Sequence, residues 1–567
     1  MKIYSILLAS ALTLGMTGCG DFGDLNNNPE SINKGNVPYE MLFTNAEHQC
    51  LGSDWDQWRT GCIYSSQFVQ QMVSINWWDS YGRYQWSDGY SSSFWGIYDS
   101  DRGALRDVTT VYDKWKSEDG MELDWNIARV MRVYAFSKMT DLYGDIPYSQ
   151  AGRPAEYSYP KYDTQESIYK SMLQELDEAQ ANLSSGTAKM KTADVYFNGD
   201  AAKWKKFANS LMLRLAMRIA DVDKATATEY VKKAVANGLL TGIDDNVMLQ
   251  HSADASTTND SCEPFAKIIA HEDREFFLSD FFVGMLKNTK DPRLSLIATV
   301  APYAGSGQYT DIQSNTSGTW TVNDYGNMSF DAQQGMLQGG YSDGPNSQYF
   351  IGKSPEAQVK GSIWAKFNDE TWRSDYAKNF SSPNRCTYAD PTTPTFILTY
   401  AQQELLLAEA VVRGMISGDA KTYYENGVKA AFEQFTQFRN GAAAIKVVTD
   451  KYGSLAEAAN KYLEANPYDA SKALEQINTQ YYITSFGDEY EVFSNWRRSG
   501  FPKLTPNVNA AKDGQCATNG GSIPRRFRYP VSEGQVNSAH YDEAVSRLSG
   551  GDRMDSRVWW DVENKGK

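Results

Sequence analysis

Only four of the 567 residues are histidine (His48, His251, His271 and His540), and the chain has no H-E-x-x-H pair, no G-x-S-x-G elbow and no glycine-rich phosphate loop. The local signatures of zinc hydrolases, α/β-hydrolases and nucleotide-hydrolysing enzymes are therefore missing. Cysteine is sparse as well, six in all and none in a C-x-x-C pair. Basic residues are outnumbered, 55 Lys and Arg against 70 Asp and Glu, for a net charge of −15. That balance argues against nucleic acid or an anionic membrane surface as the main partner. Only one apolar run stands out, residues 6–14, and it is too short to span a bilayer, so the body of the chain is expected to be soluble.

That short run sits between Lys2 and the sequence Gly15-Met16-Thr17-Gly18-Cys19, which is how a secretory signal of the lipoprotein kind is built. Residues 1–18 are expected to be removed, with Cys19 lipidated as the mature N-terminus. Residues 19–35, which include Asp21, Asp24 and Asn26-Asn27-Asn28, then form a flexible tether to a single domain over residues 36–567. Export permits disulfides among the remaining five cysteines, and Cys50 and Cys62 are the nearest pair, but a chain of this size does not need a bridge for stability.

What the chain does have is aromatic residues: 15 Trp, 35 Tyr and 24 Phe, 13% of the whole. They serve equally as a large helical core or as a platform for carbohydrate or peptide, because Tyr and Trp offer broad faces with a polar edge. Apolar residues recur at three- and four-residue steps in Ile127, Met131, Ala135, Met139 and Leu142, in Ile168, Met172, Leu176, Ala179 and Leu183, and in Trp204, Phe207, Leu211, Leu215 and Ile219. Asp163, three residues before Glu166, reads as a cap for the second of these helices, and Asn237-Gly238 as a later stop. Helices resume with Ile397, Ala401, Leu405, Ala408 and Val412, with Tyr424, Val428, Ala431, Phe435 and Phe438, and with Leu474, Ile477 and Tyr481. Between them, residues 241–393 are rich in Gly, Ser, Thr, Asn and Tyr, and only residues 276–287 read as helix, so an ordered but irregular subdomain of short strands and turns is expected there. The helical scaffold is placed at about residues 100–240 and 394–567. Helices joined in pairs suggest a tetratricopeptide-like stack, although no 34-residue repeat is visible.

Several motifs occur in order: Arg132-Val133-Tyr134-Ala135-Phe136, then Asp141-Leu142-Tyr143-Gly144-Asp145-Ile146-Pro147-Tyr148-Ser149, then PKYDTQESIY from Pro160, WKKFANSLMLRLAMR from Trp204 and DPRL from Asp291. LTYAQQELLLAEA follows from Leu398, NWRRSGFPKL from Asn495, IPRRFRYPVSEGQVN from Ile523 and RVWWD from Arg557. This set resembles the SusD/RagB nutrient-binding outer-membrane lipoproteins of Bacteroidetes, in the SusD-like branch. The resemblance implies a mainly α fold, with tetratricopeptide-like helical pairs supporting an irregular loop-rich ligand-binding subdomain with short strands. It also implies an outer-membrane, lipid-anchored protein facing the cell exterior, which binds a glycan or, in some branches, a peptide and works as a lid on a SusC-like TonB-dependent transporter. From the residues alone the motifs read as scaffold. Arg525, Arg526 and Arg528 are expected to pair with carboxylates, and Trp559-Trp560 to act as a packing anchor.

The densest aromatic stretch is residues 74–99, with nine aromatics between Trp77 and Tyr98. Their spacing fits no single helix face, and polar side chains that suit sugar hydroxyls lie between them. Asn76, Trp77, Trp78, Asp79, Tyr81, Arg83 and Trp86 are the expected ligand contacts, in a position similar to the early aromatic loop of SusD-like proteins. Phe94, Trp95 and Tyr98 are expected to be buried. A second patch, Tyr303, Tyr309, Trp320 and Tyr325, lies in the irregular region, and Trp320 and Tyr325 are added to the expected contacts. No cofactor or metal site is read: His271-Glu272-Asp273 looks like a solvated helix start, and Asp244-Asp245-Asn246 lacks a calcium-loop spacing. A glycoside hydrolase stays as a remote alternative, since it needs only two carboxylates in an aromatic cleft.

Overall fold

Several helix starts and stops have a visible local cause. The computed structural model describes residues 37–74, 79–99, 103–252, 262–271, 276–300, 312–314, 320–322, 325–336, 380–507 and 509–563. Its α-helices of nine residues or more are α1 (Tyr39–Gln49), α2 (Ala104–Lys116), α3 (Glu122–Tyr143), α4 (Gln165–Ala181), α5 (Ala201–Arg218), α6 (Lys224–Asn237) and α7 (Asp280–Asn288). After the irregular region come α8 (Tyr400–Val412), α9 (Ala420–Glu433), α10 (Ala442–Tyr452), α11 (Leu455–Ala465), α12 (Ala473–Thr484), α13 (Glu489–Ser499) and α14 (Ser538–Ser546). Asp200, Asp223 and Asp488 cap α5, α6 and α13 through their carboxylates, and Thr399 with Gln402 forms a capping box on α8. Gly238 after α6 and Gly500 after α13 take φ of +97° and +75°, a conformation glycine adopts without a Cβ penalty.

Three local expectations change. Thr164, not Asp163, caps α4 by accepting from the Ser167 N–H; Asp163 instead accepts the Tyr148 and Ser149 N–H groups at 3.2 and 2.7 Å. Residues 276–278 are strand rather than helix, because they pair with residues 72–74, and α7 starts after Ser279, whose hydroxyl accepts the Phe282 N–H. His271 ends the helix Pro264–His271 instead of starting one, and Glu272 and Asp273 lie outside the described residues.

Consecutive helices pack on one another from α2 to α6, α1 lies against α2, α8 pairs with α9 and α10 with α11, while α5 packs on α8 to join the two halves. The irregular region is tied down by two-stranded antiparallel pairs: β1 (Met72–Ser74) with β3 (Phe276–Leu278), β2 (Val247–Leu249) with β8 (Thr395–Leu398), β4 (Ala298–Thr299) with β7 (Ser382–Pro383), and β5 (Ile312–Ser314) with β6 (Trp320–Val322). The architecture is mainly α, with paired helices carrying a region of short strands. Among the described residues no helix is long and apolar enough to cross a membrane. Cys50, Cys62, Cys386 and Cys516 are free thiols, and burial pushes the Cys50 thiol up to about 12.

The arginine-rich motifs are scaffold. Arg525 pairs with Asp561 at 2.5 Å and lies over Trp496, while buried Arg526 pairs with Asp552 and donates to the Tyr143 carbonyl at 2.9 Å. Trp560 is fully buried and donates its indole N–H to Asp141 at 3.1 Å. Deeper still, Arg498 on α13 grips Glu409 on α8 through two bonds of 2.6 and 2.7 Å, and Arg413 reaches the same carboxylate at 2.7 Å. Burial opposes ionisation of Glu409, yet the two guanidinium groups outweigh it and hold its carboxyl well below the usual range. Glu491 accepts from Arg218 at 2.7 Å through both oxygens and from the Tyr481 hydroxyl at 2.8 Å; the guanidiniums win over burial and bring it to about 2.

Two buried carboxyls, Glu263 and Glu489, have no guanidinium partner among the described residues. Burial pushes Glu263 up to about 7 and Glu489 up to about 8.

Two predictions follow from this contrast. Glu409→Ala leaves Arg498 buried without its counter-charge and is expected to cost about 3 to 5 kcal/mol in denaturant unfolding; a loss under about 1 kcal/mol would contradict this account of the pair. Glu489 binds its proton more tightly folded than unfolded, so its contribution is complete below the unfolded value of about 4.5 and is lost as pH rises towards 8. Glu489→Gln is therefore expected to flatten the fall in stability between pH 5 and 8, gaining on the order of a few kcal/mol at pH 8; parallel pH profiles for variant and wild type would refute it.

Candidate functional site

The aromatic loop leaves the core at β1. Asn76, Trp77 and Trp78 lie outside the described residues; Asp79 opens the one-turn helix Asp79–Gly82, and its side chain is likewise outside the description. Tyr81 is half-buried, with its ring edge-on to Tyr64 at 5.2 Å and to Tyr90 at 5.4 Å. Burial pushes its phenol above the ordinary value. From Tyr90 the rings continue to Trp58 at 6.0 Å and then to Trp55 at 5.3 Å. Trp55 is 51% exposed and forms the open end of this chain of four rings.

Arg59 is placed among the same rings, 5.4 Å from the Trp55 centroid and 5.8 Å from that of Tyr90. Among the described residues it pairs with no carboxylate; its nearest polar partner is the Ser93 hydroxyl at 3.5 Å. Beside it, Asp54 pairs with Lys267 at 2.7 Å, while the carboxylate of buried Asp56 accepts from Ser93 at 2.6 Å. Trp58 itself is buried, so the surface joins the exposed ring of Trp55 and the half-buried rings of Tyr90 and Tyr81 to a guanidinium and a nearby ion pair. Trp55, Trp58, Arg59 and Tyr90 were not among the expected contacts. The signal is there in Trp55-Asp56-Gln57-Trp58-Arg59, but it falls at the start of a π-helix, Gln57–Ser65, whose periodicity a 3.6-residue pattern does not match.

Other expected contacts face elsewhere. Arg83 is ion-paired with Asp513 at 2.8 Å. Trp86 is half-buried, with the Arg528 guanidinium 3.9 Å from its ring centroid, so one face of the indole is taken. Phe94 and Trp95 are buried, and Tyr98 is half-buried with its ring 5.8 Å from Trp95. In the second patch, Trp320 sits on β6 opposite Ser314 with its side chain outside the description, as are Tyr303 and Tyr309. Tyr325 is half-buried against the core, and its carbonyl accepts from the Thr299 hydroxyl at 2.5 Å. The structure therefore gathers Tyr81 with four unexpected residues and turns Arg83 and Trp86 to protein partners.

The raised carboxyl of Glu263 borders two small cavities, of about 30 and 20 Å³. The second is also lined by Glu47, Gln57 and Asp488. Each has room for roughly one or two water molecules. Among the described residues no group of three or more His, Cys, Asp or Glu is arranged to hold a metal ion.

Residues 27–530 match the SusD-like family model described as starch-binding and associating with the outer membrane. No curated protein sequence matches the chain. Among solved structures, a chitin-binding protein shares 29% identity at a TM-score of 0.70, over 93% of this chain and 100% of that one. A SusD-like protein of Bacteroidetes AC2a shares 26% at 0.73, over 93% and 100%. A chitin-binding SusD homolog from Flavobacterium johnsoniae shares 23% at 0.67, over 93% and 99%. With a family match across most of its length and the same helical architecture in these structures, the chain belongs to the SusD-like family.

Proposed function

We propose that this protein captures glycan at the outer face of the outer membrane and passes it to a SusC-like TonB-dependent transporter, held in place by lipid on Cys19. The observation that carries the reading is the exposed ring of Trp55 with half-buried Tyr90, Tyr81 and Arg59 beside it, backed by the buried ring of Trp58. Flat rings stack on the apolar faces of sugars, and a guanidinium offers several donors to hydroxyls on the rim. Trp77 and Trp78 precede Tyr81 by only a few positions in the sequence and are kept as proposed ligand contacts. The starch-binding description of the family and the chitin-binding relative at 29% identity support a sugar over a peptide. Binding without turnover is the simplest chemistry for it. The raised carboxyls Glu263 and Glu489 are buried, and the cavities beside Glu263, about 30 and 20 Å³, are too small for a sugar ring.

Affinity electrophoresis in soluble starch, with retention on insoluble chitin, tests the site. Ala at Trp55, Trp77 or Trp78 is expected to weaken retention by about 1 to 3 kcal/mol per stacked ring, by analogy with base stacking. Wild-type retention in all three variants would move the site elsewhere, sustained release of sugars would make the protein a glycoside hydrolase, and retention of basic peptides alone would favour the peptide-binding alternative. For the anchor, Cys19→Ala is expected to shift the protein from the membrane pellet to the soluble fraction, and continued pelleting would refute lipidation at Cys19.

A further inference from the structure

Between Tyr81 and Trp86 the loop is held by a distant segment. Asp513 accepts from Arg83 Nε and Gln85 Nε2, each at 2.8 Å and both on the same carboxylate oxygen. Its other oxygen accepts the Gln515 N–H at 2.9 Å, which fixes the carboxylate from its own side. Around this centre, Asn507 donates its side-chain amide to the Gly82 carbonyl at 3.0 Å and its N–H to the Tyr84 hydroxyl at 2.9 Å. The Ala517 N–H donates to the Tyr84 carbonyl at 2.8 Å, and Gln85 bridges Cys516 in antiparallel fashion. Residues 82–85 are thus gripped through both backbone and side chains by residues some 430 positions later.

The grip coincides with backbone strain. Tyr84 has φ of +63° with its ring fully buried, 5.9 Å from Phe68. A bulky residue there costs on the order of 1 to 3 kcal/mol and persists only where its surroundings over-determine it. The left-handed turn at Tyr84 reverses the chain between Tyr81, which joins the row of rings, and Trp86, which stacks under Arg528. Burial works against the charge on Asp513, but the Gln515 N–H, Gln85 and Arg83 outweigh it and keep its carboxyl below the usual range.

We propose that Asp513 is a positioning residue for the ligand platform: by clamping Arg83 and Gln85 it holds the strained turn at Tyr84 and so fixes the orientation of Tyr81 in the row of rings. The proposal rests on the glycan-binding reading for its effect on affinity, but not for its effect on the loop. Arg83 then acts on ligand through the loop's conformation and not by touching it.

The test uses the full chain and four variants. Asp513→Ala and, from the loop side, Arg83→Gln are expected to speed hydrogen exchange of the amides in residues 82–85 about tenfold and to weaken retention in soluble starch by a similar factor. Asp513→Glu is expected to recover most of both effects. Asp555→Asn is the control: Asp555 holds the same segment through the Asn519 N–H at 2.7 Å without touching residues 82–85, so it is expected to leave loop exchange and retention unchanged. Unchanged loop exchange in both Asp513→Ala and Arg83→Gln overturns the clamp. Faster exchange with wild-type retention overturns its role in positioning the platform. If the wild-type protein itself retains no starch or chitin, the glycan reading fails, and the clamp is decided by exchange alone.

Discussion

The helices of this protein are held in register by carboxylates that water does not reach. Glu491 on α13 meets Arg218 on α5 and the Tyr481 hydroxyl on α12, with Lys138 of α3 and Arg214 of α5 each 3.9 Å away. Glu409 on α8 meets Arg498 on α13 and, through Arg413, the carboxylate of Asp221 at 2.6 Å. Taking such ions out of water costs several kcal/mol each, and their attraction offsets that only in near-ideal geometry. A helix displaced by an ångström would leave a charge uncompensated. The network therefore narrows the allowed arrangement of α3, α5, α8, α12 and α13 far more than it adds net stability.

The same constraint extends to the surface. Tyr490, between Glu489 and Glu491 on α13, shares a hydrogen bond of 2.7 Å with the Thr60 hydroxyl and donates to the Asp56 carbonyl at 3.2 Å. Its ring also packs 4.6 Å from Phe94. The fixed helix thus grips the segment that carries buried Trp58 and displays Trp55 and Arg59. That segment is a nine-residue π-helix, Gln57–Ser65, and π-helical geometry is frequent at functional sites. Rigid presentation suits a binding surface, because rings that are already in place need not be ordered when ligand arrives.

Much of the scaffold was legible in the sequence because helical periodicity and capping chemistry are local. The runs through Met131 and Leu211 lie inside α3 and α5, and the Asn237-Gly238 stop ends α6. What misled was local logic applied to residues whose partners are remote. Asp163 has the spacing of a cap, yet its carboxylate serves the turn after α3; residues 276–278 are apolar enough for a helix, yet β1 supplies a strand partner some 200 positions away. The ordered motifs carried more than their letters showed. DPRL places Arg293 on Asp291 and Gln480, and NWRRSG places Arg497 over Phe493 and Trp560 and Arg498 on Glu409. Each motif is one side of a contact whose other side lies elsewhere in the chain.

The candidate site was legible in composition but not in assignment, for a physical reason. A Tyr or Trp side chain is as suited to a core as to a sugar face, so density of rings marks a region without sorting its members. The sorting comes from guanidinium groups and their counter-charges. Arg528 stacks on Trp86 and faces Asp552 at 3.7 Å, and Arg83 is neutralised by Asp513; in both cases the neighbouring ring or turn becomes part of the framework. Arg59 lies over Trp55 and Tyr90 with no carboxylate partner among the described residues, and Trp55 is the ring left open beside it. In so acidic a chain, a half-buried guanidinium without an ion pair among the described residues is the exception, and it marks where the aromatic surface stops being core.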